Sequence, residues 1–436
     1  TKFDADSASE ELRKRFERFW GDVWKEKKIG ERSRRRIRRA IKQAISDAEQ
    51  RGAGDGGAGA RSVLFRGVDD EGRRKRWLVD DAEMKDAFQH LNRNTVGGLS
   101  GITVKALILG GDAVRSRLQA IINAIFEAKS YPAAWEALRL SLLWKGKGEK
   151  DDPSKYRPIA LTEAAWRVFE AVLLLRTRSI VEDHLSDSQF GFRVGRNTMQ
   201  LLSVLVTLDQ GACLRNEPLY IAMLDGYKAF DSAGHDFIVL AWAEAGCDRG
   251  TVELIEATLK NHFALLSKTS RVSIYSGVLQ GGLGSPLNFN LFIDSLGKTP
   301  SGSGANLDGG DPVSDVKFAD DTTLPTNSTP DLQRLLSGAF EWAEDRKTKF
   351  VVEPSGGKCV VMVGGDRRGA PHPEAFLGNE RVPTVMAHDL LGITLSATGG
   401  HRLVMARDQA GAVGRKVNLL SLLARNGMPV PLLRQV

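Results

Sequence analysis

The spacing of apolar residues changes near residue 219, from helical patterns to a mixture of strand and helical patterns. Before it, the three- and four-residue spacing of amphipathic helices recurs at residues 32–48, 81–92, 102–109, 114–129 and 166–185, with a hairpin-like segment at 62–79. After it, short apolar runs predict strands at 219–224, 271–279, 350–363 and 388–395, and a tight strand pair at 313–324. Helical patterns return at 236–245, 251–260 and 329–348. Helices and strands mixed in this order predict an α+β fold, with the final 35 or so residues helical.

The amino-acid composition excludes several classes of protein. Hydrophobic residues make up 42% and charged residues 26% of the 436, which permits a sizeable core and excludes wholesale disorder. No run approaches the roughly 18 apolar residues of a membrane span, so no membrane partner is predicted. Cys213, Cys247 and Cys359 form no CxxC pair and no histidine lies in HExxH, which argues against a zinc site and a disulfide framework.

Positive charge is concentrated near the start of the chain. Residues 11–50 carry 14 Lys and Arg against 7 Asp and Glu, an excess equal to the +7 of the whole chain. Within 32–48, isoleucines fall on one helical face and arginines occupy the remainder. The pattern predicts either a helix that docks by its apolar face and offers guanidinium groups to phosphates, or a solvated face or nuclear-import signal. The phosphate ligands of such a helix would be Arg34, Arg35, Arg38 and Arg39.

Two adjacent carboxylates stand between short apolar flanks in VKFADDTTLP (316–325). Neighbouring side chains on a continuous strand point to opposite faces, so Asp320 and Asp321 can share a site only at a turn, such as a hairpin tip. Two acids at a tip repel each other unless a cation neutralises them, which favours a divalent metal. An ordinary acidic β-turn is the alternative.

Another carboxylate, Asp225, ends the apolar run LYIAML (219–224) and precedes Gly226, where the backbone can approach a ligand closely. An unpaired carboxylate at a strand end is costly, so a metal or other cation is expected there, unless Asp225 caps a helix.

Two further segments have the composition of ligand-binding loops. Glycines surround Gln280 in SGVLQGGLGSPLNFN (276–290), and Ser285-Pro286 predicts the start of an apolar helix. Lysines and an arginine cluster in LWKGKGEK (143–150) and YRPI (156–159), a composition that suits a phosphate tail. A plain Gly-rich loop and a solvated basic loop are the alternatives.

In this order, these segments resemble the reverse transcriptases of non-LTR retrotransposons over about residues 80–400. The supporting strings are YRPIALTEAAWRVFE (156–170), QFGFRVGRNTMQ (189–200), MLDGYKAFDSAGH (223–235), GVLQGGLGSPLNFNLFI (277–293), KFADDT (317–322) and LLGITL (390–395). The resemblance implies a right-hand polymerase with fingers, an RRM-like palm and a partial helical thumb. The implied domains are a basic extension and Gly-rich linker (1–60), the fingers with an N-terminal extension (61–215), the palm interleaved with part of the fingers (216–395) and the start of the thumb (396–436).

The resemblance also implies roles for single residues. Asp225, Asp320 and Asp321 would be the catalytic carboxylates and, with Gly226, would bind two Mg²⁺ ions, for which Mn²⁺ can substitute. The implied dNTP-binding residues are Lys145 (Lys147 and Lys150 being alternatives for its role), Arg157, Phe230, Gln280 and Gly281. Phe230 would exclude the 2′-hydroxyl of a ribonucleotide, unless it is a core aromatic. Leu391 and Gly392 would form the turn that positions the primer.

The implied function is RNA-templated DNA synthesis as part of a non-LTR retroelement, with an RNA template, a DNA primer and dNTPs as partners. A nuclear location follows from the resemblance, although an organellar ribonucleoprotein also fits. No nuclease signature is visible, so an endonuclease is expected outside this chain. Two alternatives stay open: a non-catalytic RNA-binding or structural component of a larger ribonucleoprotein, and a group II intron-type reverse transcriptase. Gly282 and Gly284 depart from the family pattern and predict a looser loop around Gln280.

Overall fold

The computed structural model describes residues 2–6, 8–51, 61–68, 73–267, 270–297, 303–306, 310–365, 373–398 and 402–405. The predicted Gly-rich linker before residue 61, residues 69–72 of the predicted hairpin-like segment and the predicted C-terminal helix lie outside these residues. The chain divides into two compact units. The first unit comprises Thr1–His184 and Lys228–Phe292, and the second comprises Leu185–Tyr227 and Ile293–Val436.

Helices and strands are numbered separately in chain order. The helices are α1 (Glu10–Val23), α2 (Glu31–Arg51), α3 (Asp81–Gln89), α4 (Val104–Leu109), α5 (Gly111–Ala128), α6 (Ala164–His184), α7 (Thr198–Arg215), α8 (Ala229–Ser232), α9 (His235–Glu244), α10 (Arg249–Leu259), α11 (Ser285–Asp294) and α12 (Thr329–Asp345). The strands are β1 (Phe65–Val68), β2 (Arg74–Arg76), β3 (Ala137–Trp144), β4 (Tyr156–Leu161), β5 (Pro218–Leu224), β6 (Phe263–Ser267), β7 (Ser270–Ser273), β8 (Val316–Phe318), β9 (Asp321–Thr326), β10 (Val360–Gly365), β11 (Ala375–Leu377), β12 (Glu380–Val382), β13 (Ala387–Leu390), β14 (Ile393–Thr398) and β15 (Arg402–Met405). This content confirms the α+β prediction.

A four-stranded sheet of order β4-β3-β6-β7 forms the centre of the first unit, with β3 and β6 parallel and the other pairs antiparallel. Helix α1 covers this sheet: Phe16, Trp20 and Trp24 are buried in one cluster with the apolar residues of β3. The Ser9 hydroxyl accepts the Leu12 N–H and begins this helix, as an N-cap serine does.

Helix α2 is amphipathic, as the spacing of its isoleucines predicts. Ile37, Ile45 and Ala48 are buried, and the helix packs against α9 in the first unit. Arg38 and Arg39 lie on its exposed side. The apolar face therefore docks the helix and leaves basic side chains at the surface.

An antiparallel sheet of order β10-β5-β9-β8 forms the centre of the second unit. The central strand β5 packs against both α7 and α12. Its residues Leu219, Ile221 and Met223 are buried with the leucines of α7, which explains the uninterrupted apolar run. Among the described residues, no helix is both long enough and apolar enough to cross a membrane.

Two predicted strands are shorter in the structure. The prediction at 271–279 is wrong beyond Ser273, because the N–H groups of Gly277 and Val278 donate to the carbonyls of Ala233 and Phe230 and not to a strand. The prediction at 350–363 is wrong before β10; Phe350 makes only an isolated bridge, with Gly226. The pattern also missed α1, α7, β3, β4 and β6.

Candidate active site

Asp320 and Asp321 lie at the tip of a two-residue hairpin, as the sequence pattern predicts. Strands β8 and β9 pair with Phe318 opposite Asp321, so Ala319 and Asp320 form the connection. Ala319 has a φ of +56°, a left-handed conformation that costs energy in a residue with a side chain. The turn brings the two adjacent carboxylates to the same end of the sheet.

A buried amide supports this turn. Gln189 is fully buried, and its Oε1 accepts the N–H of Ala319 at 2.9 Å and that of Gly191 at 2.8 Å. The chain approaches the turn so closely at Gly191 that a Cβ there would lie 2.3 Å from the Ala319 nitrogen. Gln189 and Gly191 therefore hold the carboxylate hairpin in place.

Asp225 follows β5 directly and is fixed by its backbone. Its carbonyl accepts the Val351 N–H at 3.0 Å, and its N–H donates to the Cys359 sulfur at 3.3 Å. Its carboxylate accepts a charged hydrogen bond from Lys358 Nζ at 2.7 Å. Because the N-cap of the next helix is Lys228, Asp225 does not cap it, and the helix-cap alternative is wrong.

The charges of this group suit a cation. Burial, and after it the charge of Asp225, raises the pKa of Asp320; burial and the charges of Asp320 and Asp225 raise the pKa of Asp321 to about 6. Carboxylate oxygens are the ligands that Mg²⁺ prefers, and a divalent ion would relieve this repulsion. The donor set thus fits the metal chemically, although the described residues contain no preformed cluster of three metal-ligating side chains.

Lys145 and Arg157 belong to the first unit, and both are exposed. Lys145 Nζ donates to the Ser154 carbonyl at 3.2 Å, and Lys228 Nζ donates to the same oxygen at 3.1 Å. Burial, and then the charge of Lys145, lowers the pKa of Lys228 to about 8. Two ammonium groups that share one acceptor suit an anion such as a phosphate. Lys228 is not among the residues predicted from the motifs.

Phe230, Gln280 and Gly281 also lie in the first unit. The Phe230 ring is half-buried and stacks on Phe289 in α11, with 4.2 Å between ring centroids and 13° between planes. The Gln280 carbonyl accepts the Ala160 N–H at 2.8 Å. Gly281 has a φ of +107°, and a Cβ there would lie 2.9 Å from the Ala160 carbonyl oxygen, so this position requires glycine.

The remaining predicted residues occupy defined local structures. Leu391 and Gly392 connect β13 to β14 as a two-residue turn in which both φ values are positive. On α2, the guanidinium of Arg34 pairs with Glu26 at 2.6 Å and that of Arg35 with Glu31 at 2.8 Å. These geometries leave the predicted contacts with primer and RNA as predictions.

A buried carboxylate that the sequence pattern did not single out, Glu170 in α6, anchors the Gln280 loop. It accepts the Leu283 N–H at 3.3 Å. A Cβ on Gly282 would lie 3.2 Å from Glu170 Oε1 and 2.7 Å from the Ser285 hydroxyl. The glycine that departs from the family pattern thus makes room for an anchored loop.

We expect Glu170→Gln to stabilise the protein increasingly as pH rises from 5 to 8. Burial raises the Glu170 pKa from 4.5 to about 7, so its contribution to stability is complete below pH 4.5 and lost as pH rises through 7. Glutamine has no charge to bury and can still accept the N–H groups of the loop. The difference in unfolding free energy at pH 8 should be about 1–3 kcal/mol, measured by denaturant unfolding.

Neighbouring histidines do not complicate this measurement. His235 and His262 line the same 50 Å³ cavity as Glu170, and burial lowers both pKa values, that of His235 to about 4. Both therefore stay neutral between pH 7 and 8 in the folded protein. Equal slopes of stability against pH in wild type and variant would contradict the assignment of a buried, titrating Glu170.

Comparison with known proteins agrees with the motifs. The profile of the family described as reverse transcriptase (RNA-dependent DNA polymerase) matches residues 147–387, more than half of the chain. The Pol polyprotein of the type-1 retrotransposable element R2 of Popillia japonica is 30% identical over 60% of this chain and 38% of its own length. The RNA-directed DNA polymerase of the mobile element jockey of Drosophila melanogaster is 25% identical over 72% of this chain and 34% of its own length.

The matched range includes Asp225, Asp320 and Asp321, and it ends just before Leu391. The chain spans only about a third of the length of these two relatives. The resemblance inferred from the six motifs is confirmed: this chain belongs to the reverse transcriptase (RNA-dependent DNA polymerase) family, with relatives among the polymerases of non-LTR retrotransposons.

Proposed function

We propose that this chain synthesises DNA on an RNA template by two-metal nucleotidyl transfer, as part of a non-LTR retroelement. The proposal rests on one observation: three carboxylates, those of Asp225, Asp320 and Asp321, occur together in a chain of the reverse transcriptase family. The last two have raised pKa values in part because like charges surround them. Like charges held close together cost stability unless a cation offsets them, and carboxylates with raised pKa values are typical of functional sites.

The three carboxylates, with the backbone of Gly226, would hold two Mg²⁺ ions. When bound, the ions activate the primer 3′-hydroxyl and stabilise the leaving pyrophosphate. The chain's own contribution is to orient the ligands: Gln189 fixes the hairpin of Asp320, and β5 fixes Asp225. Lys358 supplies positive charge beside Asp225, which moderates the repulsion among the carboxylates.

The remaining assignments follow the resemblance. Lys145 and Arg157 would bind the triphosphate, Gln280 and Gly281 would lie beside the nascent base pair, and the turn at Leu391 would position the primer. Residues 61–215 would form the fingers with an N-terminal extension, 216–395 the palm interleaved with part of the fingers, and 396–436 the start of the thumb.

The wider context is also a proposal. Because the sequence shows no nuclease signature, an endonuclease would be supplied from outside this chain. The arginines of α2 would contact RNA phosphates within a larger ribonucleoprotein. A nuclear location fits a retroelement that copies into chromosomal DNA.

Primer extension tests the proposal. We expect the protein to extend a DNA primer annealed to an RNA template in the presence of dNTPs and Mg²⁺, and not in EDTA. Filter binding of the same RNA provides the second measurement. Folded protein that binds RNA but extends no primer with either Mg²⁺ or Mn²⁺ would overturn the proposal in favour of a non-catalytic ribonucleoprotein component.

A further inference from the structure

A buried carboxylate outside the metal-binding group joins the N-terminal helix to the Gln280 loop. Asp231, in α8, is 2% exposed. Its Oδ1 accepts the indole N–H of Trp24 at 3.3 Å, and its Oδ2 accepts the side-chain N–H of Gln280 at 2.7 Å. All three residues belong to the first unit. One side chain therefore contacts both the residue after α1 and a residue implied to lie at the nascent base pair.

Hydrogen bonds also connect the backbone segments that carry these side chains. The N–H groups of Gly277 and Val278 donate to the carbonyls of Ala233 and Phe230 at 2.7 and 2.8 Å. A Cβ on Gly277 would lie 2.5 Å from the Asp231 carbonyl oxygen. The Tyr275 N–H donates to the Trp24 carbonyl at 2.8 Å. Backbone hydrogen bonds thus hold the loop beside α8, and the Asp231 side chain contacts Gln280 within it.

The chemistry of a carboxylate makes this contact directional. Above pH 7 the ionised Asp231 accepts hydrogen bonds and cannot donate one, so Gln280 turns its NH₂ group toward this carboxylate. The Gln280 oxygen then takes the opposite position on the carboxamide. With Asn in place of Asp, the side-chain oxygen would accept the Trp24 N–H and the NH₂ group would face Gln280, so the Gln280 carboxamide would turn over to present its oxygen.

Burying a carboxylate costs more free energy than burying an apolar side chain of similar size. Burial raises the Asp231 pKa to about 7, while Lys228, Trp24, Gln280 and Lys145 counteract the rise. Apolar residues of similar volume usually fill such a position at lower cost. The cost indicates a role that packing cannot provide.

We propose that Asp231 and Trp24 are positioning residues that fix the orientation of the Gln280 carboxamide, so that helix α1 participates in nucleotide selection. The proposal rests on the proposed polymerase function. Helix α1 and Trp24 lie outside the residues matched by the family profile, which begins at residue 147. Asp231 contacts no substrate in this proposal; it acts through Gln280.

The chain offers a matched pair of variants for the test. Trp24 and Trp20 are stacked neighbours, both buried, with ring centroids 5.1 Å apart. The Trp24 indole N–H donates to Asp231, whereas that of Trp20 has no hydrogen-bond partner among the described residues. Trp24→Phe and Trp20→Phe remove similar volume, but only the first removes a contact with Asp231.

Steady-state extension of an RNA-templated primer by one dNTP should separate the two variants. We expect Trp24→Phe to raise the KM for the dNTP about tenfold with a smaller change in kcat, and to increase the fraction of mismatched nucleotide incorporated. Trp20→Phe should retain the KM and mismatch fraction of wild type, even if its melting temperature falls as far as that of Trp24→Phe. Asp231→Asn should reproduce the effect of Trp24→Phe without any loss of aromatic packing.

The outcomes are separable. Equal KM and mismatch fraction in Trp24→Phe and Trp20→Phe, or wild-type values in Asp231→Asn, would overturn the positioning role while extension itself continues. If Trp24→Phe fails to fold, Asp231→Asn decides alone. Absence of extension by wild-type protein would instead contradict the proposed function.

Discussion

Replacing Asp320 with Ala should abolish DNA synthesis and leave the protein folded. Loss of one proposed metal-ligating carboxylate should remove several kcal/mol of transition-state stabilisation, so extension of an RNA-templated primer should fall by about 10³-fold or more. The fold should survive because the side chain is half-buried, lies at a hairpin tip and is repelled by its neighbours. Single-turnover extension and circular dichroism of the same preparation provide the measurements.

A second readout separates metal binding from chemistry. Mg²⁺ that binds only the folded protein should raise the melting temperature of wild type, and Asp320→Ala should lose most of this rise. Glu344→Ala is the control, because it removes an exposed acid at the end of α12 in the same unit. Synthesis retained by Asp320→Ala would show that Asp320 is not a metal ligand.

The hairpin of Asp320 and Asp321 was predictable from sequence because its cause is local. Two adjacent acids between short apolar strands can share a site only at a turn, and the structure has a turn between β8 and β9. The docked face of α2 was predictable for the same reason, since its isoleucines follow the helical period. Local periodicity also located β5, α9, α10 and α12.

The supports of the site could not be predicted in this way, because they are contacts between distant residues. Lys358 reaches Asp225 across 133 positions, and Gln189 reaches Ala319 across 130. Asp231 meets Trp24 across 207 positions. Neither the period of apolar residues nor the spacing of residues within a motif predicts such pairs. The motif strings contain Gln189, Glu170 and Asp231, but the strings do not say which residues these contact.

Tertiary contacts also explain the errors in the predicted strands. Residues 274–279 are apolar enough for a strand, yet the Tyr275 N–H donates to the Trp24 carbonyl. The N–H groups of Gly277, which has a φ of +87°, and Val278 donate to the backbone at α8. The roles of Lys145, Arg157 and Leu391 stay predictions from the resemblance. They depend on substrates, and the geometry of the protein alone does not reveal those.

Replacing Phe230 with Ala should admit ribonucleotides. The resemblance places this ring where it would meet the 2′-hydroxyl, and in the structure its plane is fixed by the stack on Phe289 at 4.2 Å. The two interpretations of Phe230, as a gate and as a packed aromatic, are therefore compatible, because packing holds a gate rigid. We expect the preference for dNTP over rNTP, measured as a ratio of kcat/KM values, to fall by about 10²-fold, or roughly 3 kcal/mol.

Two controls distinguish steric exclusion from loss of packing. Phe230→Tyr keeps a ring of the same shape and should keep the preference for dNTP. Phe289→Leu removes the stacking partner of Phe230 from the buried core, so it should lower the melting temperature while a ring remains at position 230. If Phe230→Ala lowers the melting temperature but leaves sugar selection unchanged, the ring serves only to pack against Phe289. If Phe289→Leu relaxes sugar selection as far as Phe230→Ala does, selection depends on the rigidity of the stack, because a ring that can move aside no longer excludes a hydroxyl group.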